Sequence, residues 1–111
     1  MKNIIIVISV LLMASVAGCM NMPTPESQIT GVYVSPVKYA DYDCSQLSTE
    51  TSSLARRENV LIIAQTQRYK TSETQAFWYG YGLGDGIEAS ELASVRGEKE
   101  AVRTAMESKG C

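Results

Sequence analysis

Residues 43–62 read DCSQLSTETSSLARRENVLI, and their spacing decides the fold. Leu47, Leu54 and Leu61 recur every seven residues, with Ala55, Ile62 and Ala64 close to the same line. That is one apolar stripe at helical spacing. Asp43 stands where a helix cap belongs, with Gln46 three residues on, an imperfect capping box. Arg56, Arg57, Glu58 and Gln65 fill the other faces. The pattern predicts a helix from Cys44 to about Tyr69. Its run Val60 to Ala64 is more apolar than one stripe needs, so burial on more than one side is expected there.

A second helix is punctuated as clearly. Asp85-Gly86-Ile87-Glu88 has Asp at the cap and Glu three residues later. Ala89, Leu92, Val95, Val102 and Met106 follow at helical spacing, interrupted by Lys99. Gly97 inside this helix costs about 1 kcal/mol against Ala and argues against an unbroken run. Ser90, Glu91, Arg96, Glu98, Glu100 and Arg103 suit a wet face. Gly110, after Lys109, sits where a left-handed C-terminal cap belongs. The predicted fold is all-α: a two-helix antiparallel hairpin over residues 43–111, preceded by an extended tether. An antiparallel pair brings Cys111 beside Cys44.

Between the helices, residues 77–86 read FWYGYGLGDG. The glycines alternate at 80, 82, 84 and 86. From Gly80, both the dinucleotide fingerprint and the phosphate loop put their next required glycine on Asp85, and no Lys follows. Nucleotide binding is therefore set aside. Phe77, Trp78, Tyr79 and Tyr81 cluster where the hairpin turns. Either they cap the open end of the helix pair and shield Ile62 and Ile63, or they touch a partner or a membrane.

The N-terminus reads as an address. Lys2 provides a positive start, and Ile4 to Val16 is an apolar stretch broken only by Ser9 and Ser15. It falls short of the roughly 20 apolar residues of a spanning helix and matches the core of a signal peptide. Val16-Ala17-Gly18-Cys19 resembles the bacterial lipobox. That resemblance implies a diacylglyceryl group on Cys19, cleavage before it and acylation of the new amino terminus. It divides the chain into a signal peptide (1–18), a lipidated N-terminus and tether (19–42) and the hairpin (43–111). Met20, where Asp would signal retention in the inner membrane, implies the outer membrane of a Gram-negative envelope, facing the periplasm. All three prolines fall between Met20 and Pro36, as expected of a semi-extended spacer holding the folded part off the bilayer. The extended character of Ile29 to Val34 also suits lying along the helices or pairing with a partner edge. With Cys19 taken by lipid, Cys44 and Cys111 remain, and an even pair in an oxidising compartment is expected to form one disulfide.

Composition excludes several classes of function. The chain has no His, which removes Ser-His and Cys-His nucleophile systems and most zinc sites. No aspartate cluster has calcium-loop spacing. Without Lys2, nine basic side chains face twelve acidic ones, so no nucleic-acid footprint is expected. No enzymatic activity, catalytic residue, metal or cofactor is expected.

Two motifs carry a wider resemblance: Tyr39 to Glu50, YADYDCSQLSTE, and Glu91 to Cys111, ELASVRGEKEAVRTAMESKGC. Together they resemble a group of small proteobacterial lipoproteins with a lipobox, a short tether, a C-x-Q-L-x-x-E helix and a second helix ending in K-x-C. The middle of this chain departs from the group, with Phe77-Trp78-Tyr79 where FWP is common, and Arg96 stands where Lys is usual. The resemblance implies architecture and address but no mechanism. The expectation is a non-enzymatic, lipid-anchored structural or interaction module, with an envelope protein or a second copy as partner. The alternative is an inhibitory or phage-exclusion lipoprotein that blocks an envelope receptor or enzyme.

Overall fold

The computed structural model describes residues 1–5 and 21–111. Two long helices, α1 (Cys44–Tyr79) and α2 (Ile87–Lys109), pack against each other as an antiparallel hairpin. A disulfide joins Cys44 to Cys111, with Cα atoms 5.8 Å apart. The fold is the stapled all-α hairpin that the spacing predicts.

The start of α1 is as its sequence reads. Gln46 N donates to Asp43 Oδ1 at 2.7 Å, and Asp43 N donates to Gln46 Oε1 at 2.9 Å, completing the capping box. Leu47, Leu54 and Leu61 are buried in the core with Leu92, Val95, Ala101, Val102 and Ala105 of α2. The end of α1 differs from expectation. The helix runs ten residues past Tyr69, because residues 70–79 contain neither Gly nor Pro and the buried stripe continues through Gln65, Ser72 and Ala76. At 36 residues α1 is about 54 Å long. The connection shrinks to residues 80–86, opened by Gly80 in the left-handed conformation at φ 83°.

The apolar run of α1 is buried on one side only. Leu61 is 6% exposed, whereas Val60 and Ile63 are 66% and 60% exposed. Successive helical positions lie about 100° apart, so a single partner helix cannot cover three neighbours in sequence.

In α2 two local expectations are corrected. The Asp85–Glu88 capping box does not form: the cap position is Gly86, and it makes no side-chain bond. Gly97 does not interrupt the helix, and its presence has a packing cause. A Cβ at Gly97 would overlap the backbone carbonyl of Val32, and a Cβ at Gly31 would lie 2.7 Å from Gly97 N. Two glycines let two backbones touch. The C-terminus matches its reading, with Gly110 left-handed and its N–H donating to Glu107 O.

What crosses at Gly97 is the lead-in. Residues 21–43 are extended apart from short turns at Glu26–Gln28 and Pro36–Tyr39. Instead of standing off as a spacer, they lie along the hairpin from the connection to the disulfide end. Val32 N donates to Ala93 O at 3.0 Å, beside the glycine crossing. Arg96 Nη1 donates to the carbonyls of Glu26 and Ile29, and Arg96 Nη2 pairs with the Glu26 carboxylate at 2.9 Å. Near the disulfide end Tyr39 is fully buried, and Lys109 Nζ donates to Ala40 O at 2.8 Å. Ile29 and Tyr39 thus join the core as a third contributor. Two amphipathic helices leave a groove beside their contact line, and the lead-in fills it.

Candidate functional site

The second half of α1 buries polar side chains, and each has a structural use. Gln65 is fully buried, and its Nε2 donates to Thr24 O at 2.7 Å and to Asp85 Oδ1 at 3.0 Å. Ser72 Oγ accepts from Leu83 N at 3.1 Å. Arg68 Nε donates to Gly84 O at 2.6 Å. Towards Tyr79 the stripe no longer faces an apolar helix but the irregular backbone of the lead-in and the connection. Irregular backbone buried there must find hydrogen-bond partners, which these side chains supply.

Asp85, free of the helix cap, serves the same junction. Its carboxylate accepts from Thr24 N at 2.6 Å and Thr24 Oγ1 at 2.7 Å, as well as from Gln65. These bonds, the Thr24 hydroxyl first, hold its carboxyl below the usual range; burial opposes them, and Arg68 adds a smaller favourable charge. Asn21 completes the junction: its Nδ2 donates to Gly82 O at 3.2 Å, and its carbonyl accepts from Gly84 N at 2.7 Å. A Cβ at Gly82 would lie 2.9 Å from Asn21 O, and one at Gly84 would lie 2.7 Å from Asn21 Oδ1. Gly82 and Gly84 therefore make room for the lead-in, whereas Gly80 supplies the left-handed end of α1. No ligand need be invoked for them.

The connection folds back along α1, with Leu83 level with Ser72 and Gly84 level with Arg68. The last two turns of α1 overhang it and carry the aromatic cluster. Phe77, Trp78, Tyr79 and Tyr81 are 80%, 72%, 72% and 55% exposed. Phe77 and Trp78 meet edge to face, ring centroids 5.2 Å apart. The capping alternative falls: Ile62 and Ile63 lie about 23 Å back along the helix from Trp78, and rings so exposed shield little. Three of the four aromatics belong to α1 itself and not to a turn.

Of the other singled-out residues, Cys44 and Cys111 are joined at the opposite end of the rod, both solvent-exposed. Cys19 lies outside the described residues. Among the described residues, no group of three or more His, Cys, Asp or Glu could hold a metal ion, and no helix is long and apolar enough to cross a membrane. An open groove of about 450 Å³ lies where Gly31 to Val34 cross Arg96 and Gly97. Its one strong donor, Arg96, is already bonded to Glu26 and Ile29. The sequence reading missed Tyr39 and Ile29 as core residues and Asn21, Thr24 and Gln65 as a junction. Gly97 was the one visible trace of the lead-in's path, since a glycine inside a helix asks for a close neighbour.

No protein-family model, curated protein or solved structure matches this chain.

Proposed function

We propose that this protein is a non-enzymatic lipoprotein of the Gram-negative outer membrane, anchored through Cys19 and facing the periplasm as a structural or interaction module. The sequence Val16-Ala17-Gly18-Cys19 after a short apolar core motivates the anchor. The observation that carries the reading is where the folded body begins. Residues from Asn21 onward are bonded into the hairpin, so only Met20 separates Cys19 from the first of them. An acylated cysteine there joins the membrane to a stapled rod without a flexible stalk. Three acyl chains bury enough methylene groups for stable anchoring. The exposed disulfide between Cys44 and Cys111 suits an oxidising compartment. A rod of this kind acts by reach and contact.

Metabolic labelling tests the reading. Cells fed radiolabelled palmitate are expected to label the protein, Cys19→Ser is expected to abolish the label, and the wild type is expected to sediment with outer-membrane markers. An unlabelled wild-type chain, or one recovered in the soluble periplasmic fraction, would overturn it.

A further inference from the structure

The junction at Asn21 constrains where a lipid on Cys19 would be. Asn21 is bonded to Gly82 and Gly84, while Leu83 between them is bonded to Ser72, so Asn21 lies level with Ser72 on α1. Two residues of chain span at most about 7 Å. From Ser72, α1 continues seven residues to Tyr79, about 10 Å at helical rise. Chain reach alone therefore keeps a lipid attached at Cys19 nearer to the aromatic end than to the disulfide end. The disulfide end, 28 residues from Ser72 along α1, lies about 42 Å away.

We infer that the aromatic end of α1, comprising Phe77, Trp78 and Tyr79 together with Tyr81, is seated in the headgroup region of the membrane that holds the lipid. The inference rests on the lipoprotein reading above. Its chemistry is that of an interface. Residues 74–84 contain no charged side chain, so nothing in this end resists leaving bulk water as an ion. Trp and Tyr rings favour the headgroup level, where an apolar body and a polar tip are both satisfied. The nearest charge on α1 is Glu73, six residues before Tyr79, or about 9 Å. That sets a depth in the same range as the roughly 5–10 Å to which interfacial helices bury their apolar faces. The last carbonyls of α1 forbid deeper entry, since unsatisfied backbone groups are costly in hydrocarbon.

The same distances favour lipid over a protein as occupant. A partner helix has a diameter of about 10 Å or more. With Cys19 tied within about 7 Å of Asn21, a partner that thick beneath the end of an upright rod would have to lift the anchor out of the bilayer. The rod then stands with its aromatic end in the membrane and its disulfide end towards the periplasm.

Trp78 is the only tryptophan, so its fluorescence reports on this end alone. The full lipidated protein is reconstituted into phosphatidylethanolamine/phosphatidylglycerol vesicles containing lipids brominated either near the headgroup or near the chain ends. Trp78 is expected to lose most of its emission to the shallow bromines and much less to the deep ones. The variant Phe77→Ser with Tyr79→Ser is expected to remain vesicle-bound while Trp78 recovers most of that emission. An intact mass of the same sample separates the two ideas. A chain without acyl groups defeats the lipoprotein reading and this inference with it. An acylated chain whose Trp78 is unquenched by either lipid defeats the seating alone, and so does blue-shifted but unquenched emission, as from burial against a second copy.

Discussion

Asp85 shows how a residue's role depends on what lies across from it. Its spacing to Glu88 suits a capping box, yet its carboxylate is bonded to Thr24 and Gln65. Nothing local distinguishes the two outcomes, because both satisfy the same oxygens with N–H and O–H donors. The competing donors come from 61 residues earlier in the chain at Thr24 and from 20 earlier at Gln65. The depressed Asp85 pKa makes the junction pH-sensitive, with a definite sign. A carboxyl held below its unfolded value near about 4 stabilises the fold above that value and loses the contribution as pH falls through the folded one. Asp85 is solvent-exposed, so water screens the effect and a shift of a few degrees is the scale to expect. Wild type should melt above Asp85→Asn at neutral pH, and the gap should close as pH falls through and below the ordinary carboxylate range; a gap independent of pH would assign the difference to geometry.

At the scale of elements, periodicity located both helices, and the capping residues at Asp43 and Gly110 marked two of their four ends. It could not assign the run Val60 to Ala64 to a face, since an apolar residue in sequence carries no record of how many neighbours will cover it. Here one helix and the lead-in cover one side. Leu61→Ala should therefore cost about 2–5 kcal/mol, as for buried leucines generally, and Ile63→Ser about 0.5 kcal/mol or less. Urea denaturation of the two variants checks this, and comparable losses would mean that both faces are covered. The length of α1 was misjudged for a related reason. Ser72 and Gln65 look like wet positions until the lead-in and the connection are packed on them.

For the molecule as a whole, the disulfide and the lead-in share the work of a small core. The bridge closes a loop with a sequence separation of 67 residues, which on the chain-entropy account removes about 4 kcal/mol of denatured-state freedom. Both cysteines are exposed, so a reductant can reach them. Reduction, or Cys111→Ser, should lower Tm by about 15 °C or more, at about 4–8 °C per kcal/mol for a domain of this size. An unchanged melting curve after thiol titration confirms reduction would remove the staple from the account of stability. The lead-in remains in either case, held by Arg96, Tyr39 and the Gly31–Gly97 crossing.

The sequence by itself determined the two helices through heptad spacing and caps, which are local. It determined the antiparallel pairing and the bridge through the placing of one cysteine at the start of the first helix and one at the end of the second. Only the tertiary structure decided the course of residues 21–43 and, with it, which end of the hairpin lies beside Cys19. The physical reason is that an extended segment has no periodicity of its own. Its path is set by backbone hydrogen bonds and a glycine crossing supplied by residues about 60 or more positions further along the chain.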